Sequence, residues 1–282
     1  MTIHVLMPVF NRLELTKEMI NCLRSQAVEE SISIVVIDDG STDGTAEYLQ
    51  TQSDITVLQG SGSLWWGGAI DLGLRHLFTQ AHGADWVVMV NNDTWIDKNF
   101  IQNLLSVARC HAPAAIGSAI MNKESPYQYL SLGAKIDAWR CIVEDILDTP
   151  KGDQMTSLDL LEVDALSGRG VIYPLLALRQ VQGMRTFWLP HYMADFELSL
   201  RVKVAGWQLL VSPSITVQST NEFGNSFRSS TWREKLFAIR SPSYLPAQIK
   251  FWWTVSNFVQ RVTFPVRLVL FLLFPSIRRQ KK

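Results

Sequence analysis

The sequence predicts an α/β protein with a Rossmann-like, mostly parallel central sheet flanked by helices. Short apolar runs, typical of buried strands, alternate with segments in which apolar residues recur every three or four positions. This alternation indicates β-α-β units, which build parallel sheets. A chain of 282 residues is also long enough to bury a sizeable apolar core.

The elements of the first half follow from this alternation. The clearest strand passes straight from an apolar run into Asn91, Asn92 and Asp93. A Ser or Thr after Asp39 is expected to cap the second helix, and Asp97 to cap the fourth. Strands are expected at 3–10, 32–37, 55–58 and 84–90, and helices at 13–27, around 46–49, at 70–78 and at 100–108.

The pattern is weaker beyond residue 113. Strands are expected at 115–121, within 128–148 and across 163–174, with a loop at 151–157. Gly168 lies inside the last of these strands, where a glycine lets another group approach the backbone closely. The run 195–206 alternates like a strand, but Asp195 as N-cap and Gly206 as terminator favour a helix.

Composition restricts the functional classes. Lysine plus arginine and aspartate plus glutamate both number 26, so no global charge points to nucleic acid. The three cysteines are scattered and form no CxxC pair, which argues against a zinc site and a disulfide framework. The first apolar run meets polar Asn11 too soon for a signal peptide. A cytoplasmic protein is therefore expected.

The phosphate-binding motifs of common nucleotide folds are missing. No GxGxxG follows the first strand and no Walker lysine is present, so dinucleotide and P-loop functions lose their main support. What remains at the predicted carboxyl ends of the strands is Asp39, a glycine-rich loop with two tryptophans, and Asn91–Asp93. Ligands bind at this end of open α/β sheets.

Five short motifs, taken in order and spacing, resemble the family 2 glycosyltransferases with a GT-A fold. They are Pro8–Arg12, Asp38–Thr45, Leu64–Ala69, Asn91–Asp93 and Ala194–Leu198. The resemblance covers residues 3 to 220 and is greatest to bacterial enzymes that build O-antigen and other surface polysaccharides, including rhamnosyltransferase-like members. It implies one GT-A domain with a nucleotide-sugar half at 1–112 and an acceptor-binding, catalytic half at 113–225.

The resemblance also implies a donor, a nucleoside diphosphate-sugar that is dTDP- or UDP-linked. Asp39 would hold its base or ribose; the alternative for Asp39 is a simple helix-capping turn. The residues implied on the donor side are Pro8, Val9, Asn11, Asp39, Trp66, Asn91, Asn92, Asp93, Gly168 and Arg169. Arg169 could equally be an ordinary surface charge.

A divalent cation, Mg²⁺ or Mn²⁺, is implied at Asp93, which aligns with the last acid of the family's DxD element. The first acidic position is Asn91 here, so Asp93 is the single charged ligand expected. The family often supplies a later histidine, and the corresponding segment 217–221 has none.

Asp195 matches the catalytic base of the inverting members of the family, with Glu197 as the fallback. An N-cap role for Asp195 and an ion pair of Glu197 with Arg201 are the structural alternatives. The residues expected on the acceptor side are Trp65, His191 and Tyr192. Tryptophans are as often part of the core, and a lone histidine is often structural.

The region 226–282 is expected to form a helical, amphipathic extension. No acidic residue follows Glu234, whereas nine basic ones do, and aromatic and apolar residues recur from 251 to 274. This pattern favours binding of 251–282 to an anionic membrane surface, on the inner face of the plasma membrane, where a lipid-linked glycan acceptor would be found. The alternative is a helix packed on the catalytic domain or on a partner in a homodimer.

Two other functions remain open at this point. A sugar nucleotidyltransferase has a related fold, but the glycine-rich basic loop that opens such enzymes is missing. A non-catalytic sugar-nucleotide-binding or scaffold protein is suggested by the depleted DxD element.

Overall fold

The computed structural model describes residues 1–125, 128–149, 160–220, 231–239 and 241–273. Its centre is a nine-stranded, mostly parallel sheet in the order β3-β2-β1-β4-β10-β5-β11-β9, with β6 paired to β5. A separate hairpin joins β7 and β8. The strands are β1 (Thr2–Val9), β2 (Ser31–Asp38), β3 (Thr56–Gln59), β4 (Trp86–Met89), β5 (Ala114–Asn122), β6 (Tyr129–Ser131), β7 (Ala134–Asp137), β8 (Ile142–Asp145), β9 (Leu161–Glu162), β10 (Val171–Pro174) and β11 (Gln208–Ser219).

Helices cover both faces of this sheet. Side chains alternate along β4, so that Val87 and Met89 join one apolar layer while Val88 joins the other. This two-sided burial is why the strands are continuous apolar runs. The helices are α1 (Leu13–Arg24), α2 (Thr45–Gln50), α3 (Trp65–Gln80), α4 (Phe100–Cys110), α5 (Leu175–Gln180), α6 (Ala194–Val204), α7 (Trp232–Phe237), α8 (Leu245–Val255) and α9 (Phe258–Leu273).

The strand order brings several loops to one edge of the sheet. β1 is parallel to both β2 and β4, so the carboxyl ends of these three strands lie side by side. β10 runs antiparallel to β4, and its first residue, Val171, pairs with Met89 at the end of β4. The segment that enters β10 therefore reaches the same edge from the opposite direction.

The predicted α/β class and all four strands of the first half are confirmed, as are the strand at 115–121 and further strands within 128–148. The helix after residue 194 is also confirmed. The predicted loop at 151–157 lies outside the described residues. The 12-residue strand β11 was not predicted.

The single strand predicted across 163–174 is wrong. β9 ends at Glu162 and β10 starts at Val171, and the segment between them crosses the sheet edge. Its backbone pairs with other parts of the chain: the Ala165 carbonyl accepts from Ala134, and the Gly170 N–H donates to Met89. Apolar content alone did not distinguish this buried segment from a strand.

Three predicted helix caps are also wrong. The N-cap of α2 is Gly44, and the Asp43 carboxylate accepts from the N–H of Thr45. Asp97 accepts from the Asn99 N–H one turn ahead of α4. Asp195 lies within the first turn of α6, whose N-cap is Met193. For α2 the expected Ser or Thr is not the N-cap, and for α4 and α6 the expected carboxylate is near the helix terminus but not at the capping position.

The C-terminal helices form the expected amphipathic extension. α8 packs on the domain through Ala247, Phe251 and Trp252, which belong to its apolar core. α9 turns Phe264 inward and exposes a continuous apolar face. The residues of that face are Phe258, Val259, Val262, Val266, Val269 and Leu270. In the described part of the chain, no helix has both the length and the hydropathy needed to cross a bilayer.

Candidate active site

The carboxylate of Asp39 organises the glycine-rich loop that precedes α3. Its two oxygens accept hydrogen bonds from the backbone N–H groups of Gly62, Leu64 and Trp65 at 2.8 to 3.0 Å. Gly60 packs so closely that an added Cβ would lie 2.6 Å from Asp39 Oδ1. Asp39 therefore does not cap α2 and is not a freely exposed acid, because most of its accepting capacity is used by this loop and the amino end of α3.

The β1–α1 loop lies beside this acid. The Val9 carbonyl accepts from the Asp39 N–H, while the Val9 side chain is buried in the core and faces away from the edge. Asn11 accepts from the Thr42 N–H, and its own N–H donates to Ser41 Oγ. Pro8, one residue before the end of β1, is partly exposed. Of these residues, Pro8 and Asn11 border the edge with their side chains and Val9 does so with its backbone.

The three residues after β4 have different partners. Asn91 Oδ1 accepts from the indole N–H of Trp66 at 2.9 Å. The Asn92 amide donates to Thr16 on α1 and is only 7% exposed, so its side chain points into the domain rather than the cleft. Asp93 Oδ2 lies 2.6 Å from a guanidinium nitrogen of Arg12. Asp93 is thus the one acid of this motif at the edge.

The structure supports a cation position at Asp93 in one respect. Asp93 Oδ1 is buried and has no hydrogen-bond partner, as expected of an oxygen kept for a ligand. No cluster of three or more His, Cys, Asp or Glu side chains suited to a metal occurs among the described residues. A cation here would take one protein oxygen and complete its shell with donor phosphate oxygens and water, which is common for Mg²⁺.

Trp66 connects the segment after β4 to the loop that contacts α6. Its indole N–H donates to Asn91, and its ring packs against Gly168, where an added Cβ would be 2.1 Å from a ring carbon. Gly168 in turn donates its N–H to Asp195 Oδ2 at 3.0 Å. The close approach expected at Gly168 is confirmed, and the group that approaches is this indole.

Asp195 lies in the first turn of α6, and its carboxylate accepts from the backbone N–H groups of Gly168 and Phe196. Burial raises the pKa of its carboxyl, against the N–H donors of Gly168 and Phe196 and the positive charge of Arg169, which lower it. A carboxylate with a raised pKa is a stronger base than an exposed aspartate. The Arg169 guanidinium also donates to Ser219 on β11, so the predicted arginine is held at the site.

Glu197, the fallback base of the sequence analysis, is buried in an ion-pair cluster. Its side chain is 1% exposed and is paired with Arg201 at 2.9 Å and Arg185 at 3.3 Å. The predicted pair with Arg201 is therefore confirmed. Arg201 also donates to the carbonyls of Val181 and Gly183, so this cluster fixes the α5–α6 loop.

The three aromatic residues expected on the acceptor side lie together. The Trp65 and His191 rings are 5.8 Å apart between centroids, and His191 and Tyr192 are 4.7 Å apart. The Gly67 N–H donates to the Pro190 carbonyl, which holds the loop before α6 against the start of α3. This cluster and Asp195 flank the same stretch of Met193 and Ala194.

Two features of the edge were not predicted. Arg12, which was noted only as part of a motif, contacts the proposed cation ligand. Phe187 and Trp188 form an edge-to-face pair on the α5–α6 loop, and Phe187 is 85% exposed. The sequence signal for this aromatic pair was the presence of two adjacent large aromatic residues shortly before His191.

Backbone strain is concentrated here as well. Asn11, Arg12, Trp65 and Met193 all have positive φ angles, between 58° and 67°. Such angles are uncommon for residues other than glycine and tend to occur at functional sites.

Comparison with known proteins identifies the class. The sequence profile described as "Glycosyl transferase family 2" matches residues 4–148, just over half of the 282 residues. The chain belongs to glycosyltransferase family 2. This family 2 enzyme is 28% identical over 210 residues to N-acetylglucosaminyl-diphospho-decaprenol L-rhamnosyltransferase of Mycobacterium tuberculosis, a match covering 68% of each chain. Glycosyl transfer is thus its chemistry.

Solved structures agree on the GT-A fold of this family 2 glycosyltransferase. GalNAc-T7 with UDP, GalNAc and Mn²⁺ gives a TM-score of 0.61 at 14% identity, covering 78% of this chain and 44% of that one. The mannosyltransferase PcManGT of Pyrobaculum calidifontis, with GDP-Man and Mn²⁺, gives 0.55 at 15% identity, covering 97% and 81%. The chain spans less than half the length of GalNAc-T7.

Proposed function

We propose that this enzyme is an inverting glycosyltransferase. It moves a sugar from a nucleoside diphosphate-sugar, dTDP- or UDP-linked, to a hydroxyl of a lipid-linked glycan in O-antigen or other surface-polysaccharide synthesis. The observation that carries the proposal is the continuous contact path from Asp195 through Gly168, Trp66 and Asn91 to the segment holding Asp93. A donor and an acceptor bound along this path would meet at Asp195.

In the proposed reaction, Asp195 removes the proton of the acceptor hydroxyl. The hydroxyl oxygen forms a bond to the anomeric carbon on the face opposite the nucleoside diphosphate, whose bond to that carbon breaks. The proton ends on Asp195 and the nucleoside diphosphate leaves with the electron pair. A single displacement inverts the anomeric configuration and needs no covalent intermediate, so no Ser or Cys nucleophile is required.

The donor side has groups suited to a nucleoside diphosphate. Asn11, Asp39 and the loop that Asp39 holds would contact the base or ribose, while Arg12 and Arg169 bring positive charge toward the diphosphate. When a divalent cation is bound at Asp93, it supplies charge stabilisation to the leaving diphosphate. GalNAc-T7 and PcManGT were solved with nucleotides and Mn²⁺, which supports this expectation.

The acceptor side would be formed by Trp65, His191 and Tyr192. Aromatic faces suit the apolar faces of sugars, and this cluster lies at the amino end of the helix that carries Asp195. The likeness to a rhamnosyltransferase acting on a diphospho-decaprenol acceptor supports a lipid-linked substrate. The exposed apolar face of α9 would then hold the enzyme at an anionic membrane surface, the inner face of the plasma membrane.

The decisive test is Asp195→Asn, which keeps the side-chain shape and an oxygen to accept the Gly168 N–H. Transfer should fall by about 10²- to 10⁴-fold, the usual contribution of a general base. Calorimetric affinity for the nucleotide-sugar should stay within about threefold, because the amide oxygen still accepts from the Gly168 N–H and the donor-side residues keep their positions.

Retained turnover in Asp195→Asn would reject the base assignment. A wild-type protein that binds nucleotide-sugars but neither transfers nor hydrolyses them would instead favour the non-catalytic alternative. Release of pyrophosphate from a nucleoside triphosphate and a sugar phosphate would identify a nucleotidyltransferase.

A further inference from the structure

A basic groove lies on the far side of the catalytic helix from the sheet. It is a cavity of about 390 Å³ between α6, the α5–α6 loop, α8 and the start of α9. Four of the eight residues that line it are cationic, and Trp253 forms part of its wall. The cationic residues are Arg185, Arg201, Lys250 and Arg261.

The positive charge of this groove is only partly neutralised. Glu197 lies beneath it and pairs with Arg185 and Arg201, so these two arginines have a structural partner. Lys250 and Arg261 make no ion pair with any acid in the described part of the chain. Arg261 donates to the Trp253 carbonyl, which fixes its guanidinium at the groove. Within the described ranges, these two cations therefore face the cavity without a paired acid.

The groove adjoins the exposed apolar face of α9. Arg261 lies on α9 itself, between exposed Val259 and Val262. Trp253, 47% exposed, lies one helix earlier at the edge of the groove. A tryptophan and cations beside an apolar helix face are the arrangement found where a protein meets the headgroup level of a bilayer.

We propose that this groove binds the phosphate of an anionic phospholipid headgroup while the α9 face enters the acyl boundary. Lys250 and Arg261 would donate to the phosphate oxygens, and Trp253 would lie along the glycerol backbone. A lipid is favoured over a soluble phosphate because the cations border an unpartnered apolar surface. The inference rests on the membrane association in the proposed function and adds a discrete site to it.

The test measures vesicle binding of the full chain by flotation in about 0.15 M salt, where long-range attraction is screened beyond ~8 Å. Vesicles of phosphatidylcholine with phosphatidylglycerol are compared with phosphatidylcholine alone. Lys250→Ala should weaken binding to the anionic vesicles more than tenfold, and Lys250→Arg should restore most of it. Lys235→Ala on α7 is the matched control and should cost no more than about fivefold, the effect of one charge near the surface.

If Lys250→Ala and Lys235→Ala weaken vesicle binding equally, the groove is not a lipid-binding site, and only the general membrane association remains. Absence of wild-type binding to any vesicle would reject the membrane association and the groove together. Inorganic phosphate is tested as a soluble ligand. The proposal would be overturned if phosphate raised the melting temperature of wild type but not of Lys250→Ala, and if anionic vesicles did not compete with phosphate for binding. Melting temperatures and Asp195-dependent transfer measured in detergent verify that each variant is folded.

Discussion

At the scale of single residues, Asp195 is the group whose surroundings fit its proposed task. Burial raises its pKa and three neighbours lower it, so its basicity is a balance between an apolar environment and nearby donors. Arg169 is the only charged group among these neighbours. Its effect can be tested without touching Asp195 itself.

Arg169→Gln should move the acid limb of the pH–kcat profile to higher pH. The positive charge of Arg169 favours the ionised form of Asp195, so its removal raises the pKa of Asp195 further. The base must be deprotonated to act, and activity is therefore lost at a higher pH than in wild type. Arg169→Lys keeps the charge and should leave the acid limb of the pH–kcat profile near its wild-type position. If the acid limb does not move in either variant, Arg169 does not affect the pKa of Asp195.

Arg12 and Asp93 form the other pair with a measurable consequence. The Arg12 guanidinium contacts one oxygen of Asp93, where it competes with any cation for that carboxylate. Arg12→Gln should therefore tighten Mn²⁺ binding by about two- to fivefold in the absence of donor, in keeping with the modest strength of exposed ion pairs. Electron paramagnetic resonance measures the concentration of free Mn²⁺ and so gives the Mn²⁺ affinity of each variant.

The control for Arg12 is Arg24→Gln, which removes an arginine from the other end of α1, where it pairs with Asp54. It should leave Mn²⁺ affinity unchanged. Asp93→Asn should abolish the binding. If Arg12→Gln behaves like Arg24→Gln, the ion pair has no bearing on the cation.

At the scale of elements, the antiparallel strand β10 determines the shape of the site. Because β10 starts where β4 ends, the segment before it is carried across the sheet edge and against Trp66. The same segment gives Asp195 its backbone donor. The proposed donor and acceptor sides are thus joined by one short loop and one indole.

Gly168→Ala tests this junction. The added Cβ would be 2.1 Å from the Trp66 ring, so the indole or the loop must move, at a cost of about 1–3 kcal/mol in unfolding free energy. Transfer should fall as well, because the Gly168 N–H orients Asp195. Urea unfolding followed by tryptophan fluorescence measures the first effect.

Gly83→Ala is the matched control, since an added Cβ there meets nothing within 4 Å. It should change stability by less than about 0.5 kcal/mol. Equal stability of the two variants would mean that the Trp66–Gly168 contact is not tight in solution.

At the scale of the whole molecule, periodicity predicted the fold class and the strands and helices of the first half, but not the 12-residue strand β11. Strands such as β1 and β4 are buried on both faces, and their apolar runs are distinctive whatever they pack against. The segment between β9 and β10 is equally buried but irregular, and its apolar residues led to a strand prediction. Such segments are defined by long-range pairing, which a local pattern does not contain.

For the candidate site, the sequence predicted which motifs lie together but not the direction of each side chain. Asp39 and Asp93 follow β2 and β4, at the edge where these parallel strands end. Asp195 lies on α6 and is joined to this edge through the Gly168 N–H. The direction of each side chain was not predictable: Asn92 turns inward, and the carboxylate of Asp39 binds backbone rather than facing open cleft. These orientations depend on partners more than 20 residues away in sequence.

The left-handed residues of the edge limit how this enzyme could be re-engineered. Asn11, Arg12, Trp65 and Met193 surround the cleft, and each has a backbone shape that branched side chains resist. A mutant library that randomises these positions fully would lose many members to misfolding before specificity is ever sampled. These positions should be restricted to Gly, Asn, Asp and the native residue, and Phe187 and Trp188 should be varied instead. More of the screened variants would then fold.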